Sequence, residues 1–367
     1  MVLPYTTETE PNVNERPKKT PLTHNLKNAV TADIYRLSDE DESSVVKCLR
    51  RTNSDDTPSE WRASLEPHHW NFWQREHLVY TSELACLLSG SQVRLPELLS
   101  ARESPDGFDL VLEDVDGRSG ADLSLDDYVA LAEAWGTVQS RLDYLLEEPW
   151  LSRRFIRDYA LSKPVNYELL TDGKAWSAPL IADAWPPSLQ EGLRFMYGHR
   201  EALGRLLDEA PRVASHLDFW PNNVLIDAQE QFVLIDWSFF GVGAVGEDIG
   251  NFIPDAVFDD FAEAQDLAMI SQRMIEGYCN GLVAGARTNQ IERLQHLSLA
   301  DITRWIQASA VKYVWLGPLL LERAQLPEQQ RYGGARLKAE EAHRQYEQRG
   351  ATLLFLCDWA ERALKGG

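Results

Sequence analysis

Positive charge is scarce in this chain: 36 Lys and Arg face 57 Asp and Glu, a formal net charge of −21 over 367 residues. Such a surface suits nucleic acid poorly, because phosphate backbones are held by basic groups. It draws cations instead. Cysteine is scarce too. Cys48, Cys86, Cys279 and Cys357 stand far apart, without the paired spacing of a zinc ligand set or a disulfide framework, and read as reduced thiols. No apolar run is long enough to cross a bilayer, and the first residues lack the basic-then-apolar layout of a secretion signal. The expectation is a cytoplasmic chain with neither a membrane nor a nucleic-acid partner; its oligomeric state is not legible. Internal repeats and low-complexity tracts are also missing.

What is present divides into two parts. Residues 1–20, rich in Thr, Glu, Pro, Asn and Lys, have the composition of a loose tail. Strand patterns then run to about Val115, at Ala32–Leu37, Ser44–Leu49, Val93–Leu99 and Asp109–Val115, with one helically spaced segment, Trp70–Tyr80, among them. From about Leu125 the pattern turns helical: Leu125–Leu146, Leu189–Leu207, Phe261–Leu282, Ile302–Leu321, and Leu337–Leu364 with an interruption near Gly350. A chain of this length has enough core for two lobes.

The chemistry concentrates in His216-Leu217-Asp218-Phe219-Trp220-Pro221-Asn222-Asn223. Asn223 opens the alternating run Val224-Leu225-Ile226-Asp227, Ala228 to Gln231 make a polar turn, and Phe232 to Ile235 read as the returning strand. Such a hairpin brings Asp236 back beside Asn223 and Asp218. Two carboxylates and a carboxamide, with no clustered Cys or His, suit a hard cation such as magnesium bridging phosphate oxygens.

The spacing H-x-D-x-x-x-x-N followed by an Asp after a strand resembles the catalytic loop of the protein kinase fold. Leu217, and Trp237-Ser238 after Asp236 in place of Phe-Gly, set it apart from protein kinases, and the wording is similar to the aminoglycoside phosphotransferase and choline kinase-like superfamily of small-molecule kinases. The resemblance implies an α+β fold of two lobes, an N-terminal antiparallel sheet lobe over 21–115 ending in a hinge and a larger, mainly helical lobe over 116–367. It also implies ATP and Mg2+ as cofactors. Asp218 would be the catalytic base, His216 would support its loop, and Asn223 and Asp236 would hold the metal. Lys47 would contact the phosphates with Glu76 steadying it, and the main chain of Glu113 and Val115 at the hinge would meet the adenine. Asp248, after the glycine-rich stretch Gly241–Gly246, would accept hydrogen bonds from the catalytic-loop backbone. A Gly-rich phosphate loop is missing; Lys27-Asn28-Ala29-Val30-Thr31 stands in its place, where Asn28 and Thr31 offer amide and hydroxyl groups.

The implied acceptor is the hydroxyl of a small molecule: an aminoglycoside or other antibiotic, an amino alcohol or a sugar. The charge balance favours a cationic one. Asp255 and Asp259, with Asp260 and Glu263, are candidates to line its site, each also readable as a solvated helix residue. Trp220 either packs under the loop or faces the cleft, where it would cover a ring or a cation. Two other readings stay open. One is a nucleotide-binding pseudokinase or interaction module, and the other is a protein kinase, which the absent Gly-rich loop and the short segment after Asp236 oppose.

Overall fold

The computed structural model describes residues 17–39, 42–329 and 336–366. Its N-terminal lobe is built on strands β1 (Lys18–Pro21), β2 (Thr31–Ser38) and β3 (Ser43–Arg50). Helices α1 (Arg75–Thr81) and α2 (Leu84–Leu88) follow, then β4 (Val93–Arg94), β5 (Leu98–Ser104) and β6 (Gly107–Glu113). Five of these strands form one antiparallel sheet, in the order β1-β2-β3-β6-β5. Val46, Lys47, Cys48 and Leu49 of β3 are all buried. A central strand covered on both faces loses the polar alternation of an exposed one, so its lysine stands in sequence among buried apolar residues. Helix α1 lies on the sheet through His77, whose ring stacks on Phe108 of β6 at 3.8 Å. The strand β1 takes in Lys18, Lys19 and Thr20, which composition had assigned to the tail; Lys19 pairs with Asp33 at 2.8 Å. Residues 1–16, the rest of that tail, lie outside the described residues.

Beyond the hinge come β7 (Gly117–Ser119), α3 (Leu125–Gln139), β8 (Ser152–Arg153), α4 (Phe155–Leu161), α5 (Gly173–Trp176) and α6 (Pro179–Ala184). They lead through α7 (Leu189–Gly198) and α8 (Arg200–Glu209) to β9 (Arg212–Ser215), the hairpin β10 (Val224–Asp227) and β11 (Phe232–Leu234), and β12 (Gly241–Ala244). Helices α9 (Glu247–Phe258), α10 (Leu267–Asn289), α11 (Glu292–Gln295), α12 (Leu299–Ala308), α13 (Leu316–Arg323) and α14 (Ala339–Lys365) complete the lobe. The hairpin is the middle of a four-stranded sheet, β4-β11-β10-β7, and β12 lies between β8 and β9 in another.

Several helices depart from their periodic patterns for identifiable reasons. The segment expected as a helix from Trp70 begins only at Arg75. The carbonyls of Pro67, His69 and Trp70 turn to the Arg75 guanidinium at 2.7–2.8 Å, which holds this stretch as turns ahead of the helix. The expected Leu189–Leu207 helix is two helices broken at His199. Leu125–Leu146 ends its α-helix at Gln139, and Ile302–Leu321 is interrupted by a 3-10 turn at Ser309–Tyr313. Phe261 precedes its helix, which starts at Leu267. The break expected near Gly350 does not occur; α14 runs through it. Gly350 is there because a Cβ would meet the Trp185 ring at 2.5 Å.

Helices α3 and α10 pack closely across small residues. A Cβ on Gly281 would sit 1.9 Å from the Glu133 carbonyl oxygen, backbone against backbone, with no flexible side chain to yield. In an isolated helix Gly→Ala stabilises by up to about 1 kcal/mol. Here the sign reverses: Gly281→Ala is expected to cost about 1–3 kcal/mol through overpacking, read as a lower denaturant midpoint, and an unchanged or higher midpoint contradicts the close approach.

Candidate active site

The hairpin sets the site. Val224 pairs with Leu234, and the Ile235 N–H donates to the Asn223 carbonyl at 3.1 Å. Asp236 therefore emerges just past the last bond, beside the turn that carries Asp218 and Asn223. Two residues bend the chain sharply. Leu217 and Asp236 have φ of +67° and +58°, a region that costs a side-chain-bearing residue about 1–3 kcal/mol and persists only when surroundings enforce it.

At Leu217 the enforcing group is Asp248. Its Oδ1 accepts the Leu217 N–H at 2.8 Å, and its Oδ2 accepts the His216 N–H at 3.0 Å and the Trp135 indole N–H at 2.8 Å. Gln139 donates to the same oxygen at 3.3 Å. Four donors converge on one buried carboxylate, as expected where a charge or polar group leaves water. Burial still pushes Asp248 up to about 6, against the hydrogen bonds that lower it. His216 is wholly buried. Its Nε2 lies 3.0 Å from the Ile235 carbonyl, and its Nδ1 accepts the Asp218 N–H at 3.3 Å, so the network assigns the proton to Nε2. Burial lowers its pKa to about 4. The ring is a neutral strut between the loop and the hairpin, backed by Trp237 at 4.6 Å.

At Asp236 the enforcing groups are cationic and hydroxylic. Its Oδ1 accepts from Lys47 Nζ and from Ser238 Oγ, each at 2.9 Å. Lys47 Nζ also lies 2.6 Å from Glu76 Oε2. Burial alone would lower the Lys47 pKa, yet Asp236 and Glu76 together raise it, and it stays charged. Burial pushes Glu76 up to about 7, with Lys47 opposing. Arg75, the residue before Glu76, is fully buried and donates to five carbonyls, those of Pro67, His69, Trp70, Trp150 and Ser238, at 2.7–3.1 Å. It thereby ties the start of α1 to the segment after Asp236.

Asn223 Nδ2 donates to Asp218 Oδ2 at 2.8 Å and to the Asp218 carbonyl at 2.9 Å, which turns its Oδ1 away from Asp218. Burial, then the charge of Asp236, pushes Asp218 up to about 7. Asn223 Oδ1, just before β10, and Asp236 Oδ2, just after β11, are two hard oxygen atoms at one end of the hairpin. Among the described residues no group of three or more His, Cys, Asp or Glu is placed to hold a metal. That donor set fits magnesium, which binds through one or two protein oxygens and takes the rest from water and substrate phosphates.

The other sequence candidates fall in varied places. Asn28 Oδ1 accepts from the Val30 N–H and Asn71 Nδ2 at 3.1 and 3.0 Å, and Thr31 is buried opposite Leu49; both shape the turn between β1 and β2. The Glu113 N–H is donated to the Glu97 carbonyl at 2.9 Å. Its carboxylate takes a bidentate bond from Arg94 at 2.7 and 2.9 Å, and Arg94 also reaches Asp227 at 2.9 Å, which joins hinge to hairpin. Val115 lies two residues past the last pair of β6. Trp220 is half-buried, with its ring against Phe261 at 5.9 Å. Phe261 helps line a cleft of about 320 Å³ that also carries Tyr128, Asp260, Glu263 and Asp266. Asp255 and Asp259 do not line it. Asp255 turns to buried Lys312, 3.7 Å away, and burial pushes Asp259 up to about 7.

Sequence reasoning missed Trp135, Gln139, Arg75, Ser238 and Lys312. Trp135 and Gln139 are four residues apart on one helix face, but nothing local says that this face meets Asp248.

Comparison with known proteins adds a family match. The model described as the phosphotransferase enzyme family matches residues 33–287. No curated protein matches. Among solved structures, choline kinase from Cryptosporidium parvum Iowa II is 14% identical, covering 96% of this chain and 92% of that one, with a TM-score of 0.48. Amicoumacin kinase hAmiN, in complex with AMP-PNP, Ca2+ and Ami, is 14% identical over 95% of this chain and 88% of that one, TM-score 0.46. An aminoglycoside phosphotransferase from Streptomyces rimosus, in complex with ADP and streptomycin, is 19% identical over 77% and 92%, TM-score 0.41.

The buried carboxyls set a pH dependence. Asp218, Glu76, Glu247 and Asp259 are pushed up to about 7, and Asp248 to about 6, each mainly by burial. Between the ordinary carboxyl range and about pH 7 the folded chain holds protons that the unfolded chain has released, so stability is lost as pH rises through that window. His216 acts oppositely, its contribution falling away as pH drops from about 6.5 toward 4. The thermal midpoint of the protein without nucleotide or metal is expected to be higher at pH 6 than at pH 8; a midpoint that is flat or climbs over that range contradicts the buried acids.

Proposed function

We propose that this chain, which belongs to the phosphotransferase enzyme family, transfers the γ-phosphoryl group of ATP to a hydroxyl of a small, cationic acceptor. The observation that carries the reading is the convergence of Lys47, Asp236, Asn223 and Asp218 through one hairpin and one ion triad around the buried Lys47.

In this reading Lys47 binds nucleotide phosphate oxygens, held charged and in place by Glu76. Asn223 Oδ1 and Asp236 Oδ2 would hold magnesium, which neutralises phosphate charge when bound. Asp218 orients the acceptor hydroxyl and takes its proton as the oxygen attacks phosphorus. A carboxyl pushed up to about 7 is a stronger base than an ordinary one, and the Asn223 amide bond aims its Oδ2. The transition state is loose, with charge spread over oxygens, so position and electrostatics supply most of the rate. The acceptor enters from the cleft lined by Tyr128, Phe261, Asp260, Glu263 and Asp266, whose mixture of rings and carboxylates suits an amine-bearing molecule. Trp220, edge-on to Phe261, extends that wall toward Asp218.

Asp218→Ala is expected to lower turnover by at least about 10²- to 10⁴-fold, the usual worth of a general base, while Mg-ATP binding measured by calorimetry stays near the unsubstituted value. Asp236→Ala should weaken Mg-ATP binding itself. Normal turnover in Asp218→Ala, or unchanged Mg-ATP affinity in Asp236→Ala, would overturn these assignments.

A further inference from the structure

Away from the phosphotransfer groups the chain buries another lysine. Lys163 follows α4, is nine-tenths buried, and its Nζ has no hydrogen-bond partner among the described residues. Ring faces surround it instead. The ammonium lies 3.7 Å from the Tyr159 centroid, 3.8 Å from Trp61, 5.5 Å from Trp70 and 5.6 Å from Trp315. The rings meet one another edge to face: Trp61 with Trp70 at 5.6 Å, Trp70 with Tyr159 at 5.4 Å, and Tyr159 with Trp315 at 6.4 Å. Edges packed on faces leave other faces turned inward, and the negative face of an aromatic ring attracts a cation.

The four rings come from both sides of the molecule. Trp61 and Trp70 lie in the stretch between β3 and α1, Tyr159 is on α4, and Trp315 immediately precedes α13. The same stretch supplies the carbonyls that Arg75 holds and the Asn71 amide that holds Asn28. A cation in the box therefore sits where the approach to Glu76 meets the helical lobe. Burial draws the Lys163 amine down to about 7; Glu60 opposes this and Lys312 adds to it. With no hydrogen-bond acceptor for the ammonium among the described residues, the ring faces at 3.7 and 3.8 Å join Glu60 in favouring the charged form.

We propose that Trp61, Trp70, Tyr159 and Trp315 form an ammonium-binding cage whose tethered guest is Lys163, and that the cage takes a primary alkylammonium ion from solution once that guest is removed. The guest fastens the Trp61–Trp70 stretch, and through it the start of α1, to the helical lobe. This stands apart from the phosphotransfer reading, because its test measures binding and stability without any turnover.

The test uses the full chain with Lys163→Ala, which deletes a propylammonium group beyond Cβ. Thermal midpoint and tryptophan fluorescence are followed while propylammonium chloride is added, with 1-propanol as the neutral counterpart. The variant should melt at least about 2 °C below the unsubstituted protein, in keeping with the loss of a desolvated cation–π contact. Propylammonium should restore at least half of that difference and change the fluorescence, saturably. The unsubstituted protein should not respond, and 1-propanol should do neither. No response to propylammonium, an equal response to 1-propanol, or an equal response of the unsubstituted protein overturns the cage. Should Lys163→Ala not fold, Lys163→Met fills similar volume without charge. Backbone amides of residues 61–71 should then exchange with deuterium at least about tenfold faster than in the unsubstituted protein at pH 6, and equal protection would overturn the proposal.

Discussion

The ion triad of Lys47 with Glu76 and Asp236 is the contact on which the remaining geometry depends. Its ammonium comes from the central strand of the N-terminal sheet, one carboxylate from α1 and the other from the loop after the β10–β11 hairpin, at 2.6 and 2.9 Å. A buried cation between two acids is costly to assemble and more costly to break from one side, since removing Lys47 would leave the buried Glu76 carboxylate unpaired and facing Asp236. The triad therefore fixes where the sheet stands over the hairpin. Arg75 reinforces the arrangement by holding the Ser238 carbonyl from the residue beside Glu76, and Arg94 does so at the hinge by bridging Glu113 and Asp227. These two arginines and Lys47 join the lobes by charge and hydrogen bonds, while the apolar core lies within and between their helices and sheets.

Below the triad, Asp248 does for the His216–Asp218 turn what Glu76 does for Lys47. Leu217 and Asp236 both adopt backbone angles that side chains rarely take, and each is held by a polar network on one flank. The strain is thus local to the two residues whose neighbours must be aimed. Acid is dense here: Glu247 and Asp248 are buried, Asp218, Asp236 and Asp255 are partly exposed, and Lys47 and Lys312 are buried cations. In the proposed reaction the arriving magnesium would relieve part of this repulsion, which gives the metal a structural as well as a chemical role.

Much of this was legible where the interacting residues are close in sequence. His216, Asp218, Asn223 and Asp236 occupy a single turn and hairpin, and alternation plus a polar turn suffice to bring them together. Lys47 and Glu76 were legible through their resemblance to a known pattern, since nothing in Trp70–Tyr80 alone points Glu76 at a lysine far upstream. Contacts set by helix packing were not legible. Trp135 and Gln139 reach Asp248 across more than a hundred residues, and Asp255 reads from the sequence as either a lining acid or a solvated one, because nothing local shows Lys312 opposite it. Helix ends were misjudged for a related reason. Periodicity continues through His199 because both α7 and α8 bury the same kind of face, and Gly350 looks like a break because a sequence cannot show Trp185 lying against it.

The most direct measurement of the central claim is transfer of label from γ-radiolabelled ATP, with magnesium, to a panel of hydroxylated amines, amino sugars and neutral alcohols, with release of ADP followed in parallel. The account predicts that at least one cationic acceptor becomes labelled one-for-one with the ADP formed and raises ADP release well above the rate without acceptor. ADP release that no acceptor accelerates, or label that appears only on polypeptide, would contradict it.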